Sequence, residues 1–106
     1  MTETKSVIVY GAGVSGRSAA EVLARHGKQV FLYNDSECKI EDSLAQALAT
    51  NGGALVCGDF AKLLGSAELL VLSPGVPCDN ENVLLAEEKG VEVISEVELA
   101  YRNYGG

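Results

Sequence analysis

The chain has 106 residues, 47% hydrophobic and 22% charged, which is enough apolar surface for one packed core, too short for two, and outside the disordered class. Fifteen acidic side chains against eight basic ones leave a formal net charge of −7 with no Lys/Arg cluster, so nucleic acid is excluded as an expected partner. Three cysteines, Cys38, Cys57 and Cys78, without a C-x-x-C fit a reduced chain rather than a disulfide framework, and the polar start Met1 to Ser6 predicts neither signal peptide nor membrane span, hence a cytoplasmic protein.

Ser6 to Tyr10 reads as the first strand, and Gly11-Ala12-Gly13-Val14-Ser15-Gly16 follows it as a G-x-G-x-x-G that opens a helix. In that context Gly11 permits a tight turn, Gly13 lets backbone approach a pyrophosphate, and Gly16 lets the helix pack close to the sheet. The N–H groups of Val14, Ser15 and Gly16 are then aimed at an anion. A plain strand-to-helix turn is the simpler alternative. Arg17 to His26 places Ala20, Val22, Leu23 and Ala24 largely on one side of a helix that Gly27 ends. His26 is the only histidine; at a helix C-terminus its partial charge is favourable, and no catalysis is assigned to it.

Gln29 to Tyr33 is the second strand. Asp35 lies just beyond it, 24 residues after Gly11, near the spacing at which a carboxylate meets a ribose diol; it can equally accept from a nucleobase N–H or stabilise a turn beside Ser36. A second helix spans about Glu41 to Thr50, closed by Asn51, Gly52 and Gly53, and Ala54 to Cys57 forms a short third strand. After a brief helix near Phe60 to Leu64, the apolar run Leu69 to Leu72 has the character of a strand covered on both faces.

Strand alternating with helix predicts an α/β fold, a Rossmann-like doubly wound sheet of five parallel strands in the order 3-2-1-4-5 with flanking helices. In that order strand four borders strand one at the switch point, so Ser73-Pro74-Gly75-Val76-Pro77 faces the glycine-rich loop. Gly75 can bring backbone near a ligand, Ser73 can donate a hydroxyl, and the prolines stiffen the loop; Pro-Gly also marks an ordinary turn. Asn80 or Asp79 caps a helix to about Lys89, Gly90 ends it, Val91 to Ile94 is the fifth strand, and Ser95 with Glu98 has the spacing of a capping box before the last helix. No Ser/His/Asp set, metal-ligand cluster or G-x-x-x-x-G-K-[ST] loop occurs, so the chain reads as a binding module rather than a complete catalyst.

Three segments, Val7 to Gly16, Leu72-Ser73-Pro74-Gly75-Val76 and Val93 to Ala100 (VISEVELA), together resemble the Mur ligase family, most closely its D-glutamate-adding members. The likeness runs from the first strand to the last helix. It implies that residues 1–106 are the N-terminal domain that holds the substrate UDP-N-acetylmuramoyl-L-alanine, as a monomer, in a cytoplasmic enzyme of peptidoglycan synthesis that serves cell shape and division. The ATP-binding central domain and the amino-acid-binding C-terminal domain would lie outside this chain. ATP and magnesium would then serve the full-length ligase, this domain would need no cofactor, and alone it would be inactive. The resemblance further implies that Val14 and Ser15 meet the diphosphate through backbone, that Asp35 and Ser36 bind the uracil end, and that Ser73 and Gly75 line the opposite wall. Glu37 departs from relatives that carry a basic residue against the uracil.

Two other readings share the first motif. An NAD-binding domain of an oxidoreductase accounts for the glycines and Asp35 but offers nothing for Ser73 to Val76 or Ser95 to Ala100. A dinucleotide-binding regulatory domain that gates a partner requires an apolar interface patch.

Overall fold

β1 (Ser6–Tyr10) is buried along its whole length, and its alternation divides the core in two: Val7 and Val9 belong to one apolar cluster, Ile8 and Tyr10 to the other. A strand apolar on both sides needs cover on both faces, which is the condition for a doubly wound sheet. The computed structural model describes residues 6–77 and 79–101 and supplies that cover. Helices α1 (Val14–Arg25), α2 (Asp42–Thr50) and α4 (Glu96–Tyr101) follow β1, β2 (Gln29–Asn34) and β5 (Glu92–Ser95) in the chain. Ala20, Leu23, Leu44, Leu48 and Leu99 from these helices pack with Val7, Val9, Val30 and Leu32. On the opposite face the 3-10 turn Phe60–Leu63 and α3 (Glu81–Glu88) place Phe60, Leu63, Val83 and Ala86 against Ile8, Tyr10 and Leu70.

The five strands, completed by β3 (Ala54–Cys57) and β4 (Ala67–Leu72), pair in parallel in the order β3-β2-β1-β4-β5. The predicted topology is therefore the observed one. Boundaries differ by small margins: α1 begins at Val14, β4 takes in Ala67 and Glu68, and β5 runs Glu92–Ser95 rather than from Val91. The buried stripe of α1 is Gly16, Ala19, Ala20, Leu23 and Ala24, with Val22 only half-buried. Cys78, the residues before Ser6 and the glycines at 105 and 106 lie outside the described residues.

Helices α1, α2 and α3 end alike. After each C-cap a glycine with positive φ (Gly27, Gly52, Gly90) donates to a carbonyl three residues back, and the next N–H reaches five back: Lys28 to Leu23, Gly53 to Leu48, Val91 to Ala86. These paired bonds satisfy carbonyls the helix leaves open and turn the chain at once into the next strand. At its N-terminus α3 is capped by Asn80, whose side chain accepts from Asn82 N–H at 2.7 Å, and Ser95 Oγ accepts from Glu98 N–H at 3.2 Å at the start of α4.

Candidate functional site

Parallel register decides where the loops meet. Tyr10 is level with Tyr33 on β2 and with Leu72 on β4, so the glycine-rich loop, the Asn34–Ser36 segment and the Ser73 loop leave the sheet side by side. Connections from β1 and β4 then depart to opposite faces, which opens a crevice at the carboxyl ends of the strands.

The glycine loop is pinned from both sides. Gly11 N–H donates to Tyr33 O at 2.7 Å, Ala12 N–H to Asn34 Oδ1 at 3.1 Å, and Ser73 N–H to Tyr10 O at 3.1 Å. Gly11 has φ +106°, a conformation that side chains rarely adopt, and a Cβ there would lie 2.9 Å from Ser73 Oγ. A Cβ on Gly16 would fall 1.8 Å from Gly11 O, so α1 sits closer to the strand end than any side chain permits. Gly13 is different. Its φ of −76° and ψ of −173° suit any residue, and a Cβ on it would meet nothing within 4 Å. Its surroundings are open space at the mouth of the crevice.

Gly13 is also the N-cap of α1, with no side-chain cap and no acidic residue in the first turn. Gly13, Val14 and Ser15 are exposed, Val14 to 76%, while Gly16 is buried. An uncapped first turn leaves backbone N–H groups open beside the partial positive charge of the helix end, an arrangement that suits an anion. Arg17, which follows Gly16 in the sequence, is held by Glu41 at 2.9 Å.

Asp35 and Ser36 are exposed beside this turn. Asp35 accepts from the Tyr10 hydroxyl at 2.8 Å. Ser36 O accepts from Asn34 Nδ2 at 2.7 Å, so Asn34 ties the glycine loop to the segment carrying Asp35. Glu37 is exposed and lines a cavity of about 450 Å³ with Cys38, Lys39, Leu55 and Cys57. Burial, followed by the neighbouring Cys57, pushes the Cys38 thiol up, which disfavours its thiolate form.

Across the crevice Ser73 is buried and its hydroxyl donates to Gly11 O at 3.2 Å. That hydroxyl braces the two loops against each other. Val76 N–H closes a turn onto Ser73 O at 3.0 Å, leaving Pro74 and Gly75 exposed at the tip with open space around Gly75. The structure thus brings Gly11, Gly13, Val14, Ser15, Gly16, Asp35, Ser36, Ser73 and Gly75 to one end of the sheet. Three further polar residues there, Asn34, Asn82 and the Tyr10 hydroxyl, escaped the sequence reading. Only Tyr10 carried a signal: a phenol ending an otherwise apolar strand needs a partner for its hydroxyl.

A profile of the family described as Mur ligase MurD-like, N-terminal domain, matches residues 5–95. The chain is 38% identical over 103 residues to a UDP-N-acetylmuramoylalanine--D-glutamate ligase of Lachnospira eligens, covering 96% of this chain and 23% of that protein. It is 43% identical over 101 residues to the ligase of the same name from Streptococcus mutans, covering 93% of this chain and 22% of that protein. The chain therefore spans less than a quarter of the length of these curated relatives. Among solved structures it is similar in fold to an imine reductase variant from Myxococcus stipitatus in complex with NAD+ (TM-score 0.56, 17% identity, 97% of this chain and 38% of that one). It is likewise similar to 3-hydroxybutyryl-CoA dehydrogenase from Escherichia coli (TM-score 0.58, 21% identity, 89% and 25%). At such identities the likeness is one of fold.

Proposed function

The chain belongs to the MurD-like N-terminal domain family of the Mur ligases, and from that premise we propose that it binds UDP-N-acetylmuramoyl-L-alanine for a ligase that joins D-glutamate to it in peptidoglycan synthesis. The observation that carries the reading is the uncapped first turn of α1 at the switch point, free of acidic side chains, with open space at Gly13. Backbone N–H groups of Val14, Ser15 and Gly16 hold the diphosphate, with Gly11 and Gly16 setting the approach of the loop. Asp35 and Ser36 take the uridine end, and the tip at Ser73 and Gly75 closes the far wall. Binding of this kind orients the substrate carboxylate and lowers the entropic part of the barrier. In the whole ligase ATP and magnesium would supply carboxylate activation at groups outside this domain, and we read the domain itself as a monomeric, cytoplasmic substrate holder that is inactive alone and needs no cofactor of its own.

Calorimetry with UDP-N-acetylmuramoyl-L-alanine, UDP and NAD tests the reading. The two uridine ligands bind and NAD binds more weakly. Gly13→Val lowers uridine-ligand affinity at least about tenfold by filling the approach, at a stability cost of at most about 1 kcal/mol for a poorer N-cap. A preference for NAD, or an unchanged affinity in Gly13→Val, contradicts it.

A further inference from the structure

Tyr10 is 2% exposed, with its ring held edge-on to Tyr33 at 5.0 Å and tilted against Phe60 at 5.4 Å. Its hydroxyl emerges where three segments converge. It accepts from Asn82 Nδ2 at 3.0 Å, donates to Asp35 Oδ1 at 2.8 Å, and has Asn80 Oδ1 at 3.4 Å. The direction of that proton follows from the partners. Asn82 Nδ2 can only donate, and Asn80 Oδ1 already accepts from Asn82 N–H at 2.7 Å. The shorter bond to a charged acceptor takes the proton.

We propose that Tyr10 is a positioning residue for ligand recognition: locked in the core and oriented by Asn82, it fixes the Asp35 carboxylate and couples the loop after β2 to the start of α3 across the crevice. The proposal rests on the UDP-binding reading. Asp35 is an exposed loop residue, free to sample several rotamers unless something holds it, and a ligand that must order it loses affinity. The Tyr10 ring is immobilised by packing before any ligand arrives, so the hydroxyl does that ordering in advance. Asp35 Oδ1 takes the Tyr10 proton in this hydrogen bond, and the carboxylate retains acceptor capacity for a nucleoside N–H or O–H. Burial raises the phenol above its ordinary range, which keeps the donor proton in place at physiological pH.

Two readouts on this chain separate the proposal from the reading beneath it. Without ligand, Asp35→Ala shifts the amide resonances of Asn80 and Asn82 in the wild type but leaves them in place in a Tyr10→Phe background; absence of that cross-talk in the wild type, or its persistence in Tyr10→Phe, overturns the coupling. With UDP, Tyr10→Phe weakens binding about fivefold to twentyfold, Asp35→Ala weakens it similarly, and the double variant is no worse than Asp35→Ala alone. Full additivity, or unchanged affinity in Tyr10→Phe, overturns the positioning role. Intact cross-talk in a wild type that fails to bind UDP overturns the UDP reading and keeps the coupling.

Discussion

Tyr10 and Tyr33 share one apolar corner, and both phenols are pushed above their ordinary range. Burial is the first cause for each; Asp35 adds its negative charge, and Asn82 works the other way on both. A phenol whose folded value is raised binds its proton more tightly in the native state, so the stabilisation is fully present below the unfolded value near 10 and is lost as pH rises through the folded values. Melting followed from about pH 8 to pH 11 should therefore stay level to about pH 10 and fall beyond it, less steeply in Tyr10→Phe and Tyr33→Phe. An identical alkaline slope in both variants would show that these groups do not carry the effect. At this scale the sequence was only partly legible. Asp35 stood out by spacing, whereas Asn34 and Asn82 reach their partners through β1–β2 pairing and the docking of α3, separations of 22 and 72 residues that no local pattern encodes.

The elements were far more legible, because each is announced by local chemistry. Gly27, Gly52 and Gly90 mark helix ends, Asn80 marks a start, and the unbroken apolar run of β4 marks a central strand. Edges were misjudged at Ala67 and Glu68 in β4, where Ala67 pairs with Ser6 and Glu68 falls in a register shift, and at exposed Ser95 in β5, which pairs with Leu72, since backbone pairing needs no apolar side chain. Asn80→Ala should cost about 1 kcal/mol and lower the melting temperature by roughly 4–8 °C, through loss of the bond to Asn82 N–H. Gly16→Ala should cost more. Its Cβ would collide with the Gly11 carbonyl, backbone that cannot rotate aside, so α1 must lift from the strand at about 2–3 kcal/mol, read as a melting loss of roughly 10 °C or more. A Gly16→Ala protein as stable as wild type would mean that the loop is not packed as described.

For the molecule as a whole, alternation of strands and helices with apolar character on both strand faces leaves few arrangements, and right-handed crossovers select among them. That is why the order β3-β2-β1-β4-β5 could be anticipated while the internal bracing of the crevice could not: Ser73 was expected to offer its hydroxyl to a ligand, yet it donates to Gly11 O. The same fold serves reductases that are under 25% identical, so topology places the crevice and leaves its occupant to the side chains around it. The proposed UDP binding rests on an anion seat at the start of α1. Titration of the isotope-labelled chain with UDP, followed through backbone amide resonances, tests it most directly. The largest shifts should fall on Gly13, Val14, Ser15 and Gly16, with smaller ones at Asp35, Ser36 and Gly75; shifts centred on another part of the surface, with the α1 amides unmoved at saturation, would contradict it.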